Sequence, residues 1–315
     1  PPCPPTIGTA GTRQWATMPG DTQIDVAASN RPGRAEFLTA LSEIYEHSPW
    51  AAEAALAARP FASLKALHDV MASAVQRADA ATQLRLVLAH PDLAGKAARA
   101  GTLTVASASE QLDAGLDQMT EAEFTRFEQL NQAYTAKFGF PFIICVRRHS
   151  RDSILQQFEQ RLQQDAAAEL ATALAEVERI AALRLDQCLK NDGSLKVHGR
   201  LSTHVLDNHA GRPAAGVAIE LRALADDGAH RLVQRAVTNA DGRTDKPLIS
   251  GRPLPVGRYE ISFDIGGYFA GRAVPLAAPP FLGIVPIRFA VAEPEGHYHV
   301  PLLATPWSYS TYRGS

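Results

Sequence analysis

Two hydrophobic periods divide the chain. From Arg34 to Leu185 apolar residues recur three and four positions apart, as in "RAEFLTALSEIYEHSPW" and "EAEFTRFEQLNQAYTAKFG", the signature of amphipathic helices with one face on a core. In "DSILQQFEQRLQQ" the stripe is Ile154, Leu155, Phe158 and Leu162, and in "AAAELATALAEVERIAALRL" it is Leu170, Leu174, Val177, Ile180 and Leu183. After Leu185 comes a polar stretch with an Asp-Gly turn signal at Asp192 and Gly193. The pattern then changes to short alternating runs, "VAIELRAL", "HRLVQRAVT", "RYEISFDI" and "VPIRFAV", separated by turns such as "NADGR" and "SGRPLPVGR". Short strands at regular spacing with Gly/Pro turns predict an all-β sandwich or barrel.

A chain of 315 residues has room for two cores of ordinary size. The fold class expected is therefore multidomain: an all-α domain over 34–185, a linker over 186–198 and an all-β sandwich over 199–315. Residues 1–33, rich in Pro, Gly and Thr with few apolar anchors, are expected to form a disordered leader.

Composition narrows the partners. With 46% hydrophobic and 20% charged residues and a formal net charge of -2, nothing points to nucleic acid or another polyanion. No run approaches the ~20 apolar residues of a membrane helix, and the N-terminal stretch lacks the apolar core of a signal peptide. A soluble cytoplasmic protein with no membrane partner is expected. Cys3, Cys145 and Cys188 are odd in number and widely spaced, which argues against a disulfide framework or a metal knuckle and fits a reducing compartment.

Three stretches of the β half carry chemistry: "STHVLD", "NADGR" and "HYHVPLL". On a strand His297 and His299 point to one side and Tyr298 to the other. With His204 they suggest either a three-histidine zinc site, a general acid/base set, or simply a half-exposed strand that carries imidazoles. Arg243, taken alone, reads as a solvated loop arginine. The constellation "LSTHVLDNHAGRPAAGVAIEL", "TNADGR", "RYEISFDIGGYF" and "HYHVPLLATPWSYSTYRGS" resembles 5-hydroxyisourate hydrolase of the transthyretin-like family over residues 199–315. The Tyr-Arg-Gly-Ser signature separates that enzyme from the hormone carrier built on the same sandwich. The resemblance implies that His204, Arg243, His299 and the stretch Tyr312, Arg313, Gly314 and Ser315 line the site, and that no metal is needed. A histidine that titrates near neutrality can take a proton from water and return it to a leaving nitrogen; a forked, permanently charged arginine can hold the growing oxyanion. His204 and His299 are thus expected as the acid/base and water-orienting pair, with the base left open between them. His297 is expected to be a neighbour.

In the helical half, "AHPDLAGK" lacks phosphate-loop spacing, Ser107 with Glu110 reads as a capping box, and His90 before Pro91 marks a helix end. "FPFIICV" reads as a buried core run. Together with "YEHSPW", "SASEQLDAGL" and "NQAYTAKFGFPFI", these stretches resemble 2-oxo-4-hydroxy-4-carboxy-5-ureidoimidazoline (OHCU) decarboxylase from about Arg34 to Leu185. The resemblance maps the catalytic histidine on His90, with Pro91 beside it, and a substrate-contacting glutamate on Glu110. Ser107, Ala108, Ser109 and Gln111 of the same loop, the backbone of Phe142, Ile143, Ile144, Cys145 and Val146, and Arg184 map on the remaining substrate contacts. His47 is expected to be structural. His90 is expected as proton donor or hydrogen-bond partner at the departing centre, and Arg184 as a partner of substrate oxygens. Loss of carbon dioxide beside an imine-like carbon needs no cofactor as electron sink.

The two resemblances support each other, since the product of the hydrolase is the substrate of the decarboxylase. The fusion is expected to convert 5-hydroxyisourate into (S)-allantoin in urate degradation, with small molecules as partners and no cofactor. A homo-oligomer, dimer or tetramer, is implied by both families. A short linker would raise the local concentration of the intermediate to the order of millimolar. The competing expectation is a transthyretin-like binding module on a helical scaffold, or a fusion with one active domain.

Overall fold

The computed structural model describes residues 25–31, 33–93, 104–113, 116 and 119–314. Contacts divide them into two compact units. One holds the described residues up to Ala108 with Thr120–Cys145 and Arg161–Lys196; the other holds those from Ser109 to Met119, Val146–Gln160 and the chain from Val197 onward.

The helices run α1 Val26–Ser29, α2 Arg34–Leu41, α3 Trp50–Ala57, α4 Leu64–Arg77, α5 Ala80–Leu88, α6 Val105–Asp113, α7 Glu121–Phe138, α8 Arg151–Arg161 and α9 Ala166–Cys188. Side-chain caps start several of them: Ser63 accepts from the Ala66 amide, Asp79 from Thr82 and Asp165 from Ala168, satisfying amides that no helical carbonyl reaches. Thr120 with Glu123 forms a full capping box. Ser107 with Glu110, expected to be one, is not: Ser107 lies inside α6, its amide donates to Thr104 Oγ1, and its own hydroxyl turns inward to Glu46.

Three boundaries differ from the sequence pattern. The helical body starts at Val26, and Asn30 is tied to the Phe61 carbonyl at 2.9 Å, within the expected leader; residues 1–24 lie outside the described ones. The segment read as one helix from Arg34 to Trp50 stops at Leu41 and continues as turns, in which His47 takes a φ of 45°. This left-handed conformation costs a non-glycine residue about 1 kcal/mol, and the turn carries the Glu46 side chain inward, where it is 2% exposed. The third difference is at the expected linker. The last helix runs on to Cys188, and Leu189, Leu195 and Val197 are buried, with the Asn191 amide held by Asp186 and the Leu195 carbonyl.

In the helical unit α9 packs on α4 and α5. The inner stripe of α4 is Leu64, Leu67, Met71 and Val75, all fully buried, each burial contributing ~1.5–3 kcal/mol. The stripe of α9 is less simple. Val177, Ile180 and Leu183 are buried as expected, but so are Glu169, Glu176 and Arg184, on the same face. Buried charges survive only when paired, and each is. Glu169 accepts from Arg161 and Tyr134, Glu176 from the Cys145 amide at 2.8 Å and from Arg179, and Arg184 meets Glu46.

The described residues of the second unit form the strands β1 Gly199–Ser202, β2 Val205–Asp207, β3 Arg212–Pro213, β4 Ala218–Leu224, β5 His230–Val237, β6 Ile249–Arg252, β7 Gly257–Asp264, β8 Ile284–Val291, β9 His297–His299, β10 Leu302–Ala304 and β11 Tyr309–Thr311. Strands β5-β4-β7-β8 form one antiparallel sheet. Its inward rows are Ile219, Phe263 and Val285, then Leu221, Ile261 and Ile287, directly opposed across the three strands. They meet Leu201, Val205, Tyr298 and Leu302 from the short sheets β6-β1-β9 and β11-β10-β2-β3 in one core, so the unit is a sandwich. The strand run read as "RYEISFDI" ends at Asp264, and Ile265–Ala270 form a short helix α10, capped by Asp264 on the Gly267 amide. Val146–Gln160, helical in pattern, belongs to this unit by its hydrogen bonds. The Ser150 amide donates to the Val256 carbonyl at 3.0 Å and the Val256 amide to Arg148 at 2.8 Å.

Candidate active sites

In the sandwich the chain segments 200–207 and 297–304 run parallel, and both break at the same level. Arg200 pairs with His297, Ser202 with His299 and Val205 with Leu302. At the break the Thr203 hydroxyl donates to the Val300 carbonyl at 2.6 Å and the Leu302 amide to His204 at 2.8 Å; Pro301, with no amide to donate, suits the gap. Because side chains alternate, Ser202 and His204 emerge on the side where His297 and His299 emerge. His204 Nδ1 meets His299 Nε2 at 2.7 Å, the rings stacked with centroids 4.8 Å apart. Ser202 Oγ lies 2.9 Å from His299 Nδ1 and 3.2 Å from His297 Nε2. The expectation that the two histidines of this strand share a face holds, and Tyr298 turns into the core at 4% exposure.

Arg243 is brought to His204 by the "NADGR" turn. Asn239 Oδ1 accepts from the Asp241 and Arg243 amides, and the Val205 amide donates to the Gly242 carbonyl at 2.8 Å. Glycine is required at Gly242. Its φ is +69°, and a Cβ would stand 2.3 Å from the Val205 carbonyl oxygen. His204 and Arg243 then face each other as an antiparallel bridge. The C-terminal strand β11 pairs with β10, and the Gly314 amide donates to the His299 carbonyl at 2.8 Å. Tyr312 and Arg313 are exposed, with the Arg313 guanidinium over the Tyr298 ring at 4.6 Å. Ser315 lies outside the described residues.

Burial pushes the His299 imidazole down to about 4, helped by the neighbouring His204, Arg243, His297 and Arg200. His204 is lowered by burial and by Arg243. Both rings are thus neutral at neutral pH. Among the described residues no three His, Cys, Asp or Glu side chains are placed to hold a metal ion.

The helical unit builds its site around His90, just past the end of α5 and 8% exposed. Its Nδ1 stands 2.9 Å from the Leu86 carbonyl oxygen, and Nε2 is buried without a hydrogen-bond partner among the described residues. A carbonyl only accepts, so Nδ1 carries the proton and Nε2 presents a lone pair. Burial lowers this histidine to about 4; the Leu86 bond and the Glu46 charge oppose the shift, and the Arg184 and His47 charges add to it. The neutral ring is therefore an acceptor at Nε2, which fits a hydrogen-bond partner, the second of the two roles expected of it.

Glu46 is the residue that sequence reasoning missed. It accepts from Arg184 Nη1 at 2.8 Å, Thr104 Oγ1 at 2.8 Å and the Ser107 hydroxyl at 3.2 Å. Burial raises its carboxyl, but the Arg184 charge and the hydrogen bonds of Thr104 and Arg184 outweigh that, and the net shift is downward. Arg184, expected to meet substrate oxygens, directs its guanidinium to Glu46, to the Ser107 hydroxyl at 3.3 Å and to the Glu43 carbonyl at 3.2 Å. Likewise the backbone of the 142–146 run is partly engaged. The Ile143 carbonyl accepts from Arg161 and the Cys145 amide donates to Glu176, both at 2.8 Å. This run is neither helix nor strand but buried coil, leading into a 3-10 turn at Val146–Arg148. Ala108, Ser109, Glu110 and Gln111 continue α6 beyond Ser107, Gln111 buried and Glu110 half-buried, and Pro91 is half-buried.

A sandwich with paired neutral imidazoles beside an arginine, and a helical unit with a buried acceptor histidine near a buried ion pair, define a two-domain enzyme. Known proteins agree with each half. The OHCU decarboxylase family profile matches residues 30–186 and the HIUase/transthyretin family profile residues 201–314, and the chain belongs to these two families over those halves. A 5-hydroxyisourate hydrolase of Deinococcus radiodurans is 54% identical over 118 residues, 38% of this chain and 98% of that protein. A 2-oxo-4-hydroxy-4-carboxy-5-ureidoimidazoline decarboxylase of Halalkalicoccus jeotgali is 39% identical over 178 residues, 56% of this chain and 99% of that protein. The crystal structure of (S)-allantoin synthase matches with a TM-score of 0.51 and 35% identity, covering 93% of this chain and all of that one.

Proposed function

We propose that the chain hydrolyses 5-hydroxyisourate in its sandwich and decarboxylates the resulting OHCU in its helical unit, yielding (S)-allantoin. The 2.7 Å contact of His204 Nδ1 with His299 Nε2, beside Arg243, carries the reading. Two neutral rings bonded in series can take a proton from water on one side and return it to the leaving ring nitrogen. The guanidinium beside them balances charge growing on the carbonyl oxygen.

In the second step the hydroxyl and the carboxylate of the substrate share a carbon. When that carbon loses carbon dioxide, the electron pair forms a C=C bond to its neighbour, the C=N pair passes to the ring nitrogen, which takes a proton from water, and an enol is left. The enol O–H proton must then leave, and the neighbouring carbon must gain one on a single face. His90 Nε2, an unpartnered lone pair, is suited to accept the hydroxyl proton and pass it on. We assign Glu46 and Arg184 to shaping this site. Homo-oligomer formation is part of the proposal. Trp307, Tyr309 and Tyr312, on the stretch that leads to Gly314, are 54%, 46% and 55% exposed, and exposed aromatics of this kind mark interfaces.

The test follows 5-hydroxyisourate absorbance and product chirality for wild type, His299→Ala and His90→Ala. The first variant should lose the first step alone. The second should keep it and release racemic product. Unchanged rates and chirality in both variants refute the assignment.

A further inference from the structure

We propose that Ser202 and His297 complete a proton relay that connects His204 and His299 to solvent, which makes them positioning and relay residues of the hydrolase site. The inference rests on the hydrolase reading above. It starts from three consecutive hydrogen bonds: His204 Nδ1 to His299 Nε2 at 2.7 Å, His299 Nδ1 to Ser202 Oγ at 2.9 Å, and Ser202 Oγ to His297 Nε2 at 3.2 Å.

A neutral imidazole has one donor nitrogen and one acceptor nitrogen, and a hydroxyl has a single proton to give. A hydroxyl also has two lone pairs to accept with, so Ser202 Oγ accepting from both rings would break the series; a continuous relay of three rings and one hydroxyl runs in one of two senses. In the first sense His204 Nδ1–H donates to His299, His299 Nδ1–H to Ser202, and the Ser202 hydroxyl to His297 Nε2. The far nitrogen of His204, Nε2, is then a bare lone pair, and His204 is a base. In the second sense every bond is reversed, His204 carries its proton on Nε2, and it is an acid. The two halves of amide hydrolysis need these two forms in turn.

The conversion balances without storing charge at the centre. His204 Nε2 takes the proton of the attacking water, and its Nδ1 proton passes to His299 Nε2. The Nδ1 proton of His299 passes to Ser202 Oγ, and the hydroxyl proton to His297 Nε2. His297, exposed at the outer end, releases its Nδ1 proton to bulk water. The reverse transfer supplies the proton that the leaving nitrogen needs. His299 suits transit rather than residence: it is buried at 8% exposure, and the cationic Arg200 and Arg243 add to the burial that holds it neutral. Nothing in the bland reading of His297 as a bystander explains why one hydroxyl bridges its Nε2 to the Nδ1 of His299.

The test uses the full chain with 5-hydroxyisourate as substrate. Ser202→Ala should lower kcat of the first step by about 10- to 100-fold with little change in KM, since general acid–base catalysis as a whole contributes ~10²–10⁴-fold. The dependence of rate on the deuterium fraction of the solvent should change from curved, with several protons in flight, to linear. His297→Ala, at an exposed position that folding tolerates, should lose rate in the same sense and regain it with added imidazole; Ser202→Ala should not respond. If either variant retains the wild-type kcat and isotope profile, the relay is wrong, because a loss in Ser202→Ala alone makes Ser202 only a partner of His299. Failure of the hydrolase reading looks different, as wild type itself would then not hydrolyse 5-hydroxyisourate.

Discussion

Arg184 Nη1 stands 2.8 Å from Glu46 Oε2, the two side chains 5% and 2% exposed. This pair sits beside His90, and its two charges act on the imidazole in opposite senses. Glu46→Ala leaves the arginine buried and unpaired, and the helical unit should lose about 3–5 kcal/mol of stability. Adding Arg184→Met should recover most of that stability and none of the second-step activity. Urea unfolding of the three variants, with the decarboxylation rate measured beside it, checks both.

Acidification should destabilise the helical unit through His90. Its native pKa, about 4, lies below the ordinary histidine value of 6.5, so the unfolded chain binds the proton more readily, and the His90 contribution is complete above pH 6.5 and shrinks as pH falls toward 4. The loss should be on the order of 2 to 3 kcal/mol. Glu46, whose pKa is lowered, adds a loss of the same sign at still lower pH. In His90→Asn the slope between pH 6.5 and 4 should flatten, as read by urea unfolding at several pH values.

Arg243→Lys keeps the charge beside His204 and loses the planar fork. If the guanidinium holds a developing oxyanion, the first step should slow by about 10²-fold, while the decarboxylation of supplied OHCU is unchanged. Equal first-step rates in the variant and wild type would exclude that role.

Gly314→Ala tests the C-terminal approach to the site. A Cβ there would stand 2.7 Å from His299 Cδ2, so the ring must shift. The first step should fall on the order of 10- to 100-fold, with the second unchanged and the unfolding temperature little altered. Removing Tyr312 to Ser315 should abolish the first reaction and spare the second.

Much of the site was legible in the sequence, and the omissions are instructive. The alternation in "HYH" placed His297 and His299 on one face, as found. The same rule applied to "LSTH" puts Ser202 beside His204, and that signal was available. Glu46 stood in the "YEHSPW" stretch next to a histidine read as structural, but its role needs the left-handed turn at His47, which no periodicity announces. In α9 the leucine stripe was legible, and the burial of Glu169 and Arg184 beside it was not, because a buried charge is tolerable only with a partner, and theirs, Arg161 and Glu46, lie outside the helix.

The sequence by itself determined the two halves, the helical and strand periods, and the residue types of both sites, since the periods depend on neighbours a few positions away. Tertiary structure alone decided the pairings. Arg184 meets Glu46 across 138 residues and Ser202 meets His299 across 97. Local pattern states which face a side chain takes; which distant group it finds there follows from how the chain crosses itself, and at these two sites that crossing sets the charge and protonation of every reacting group.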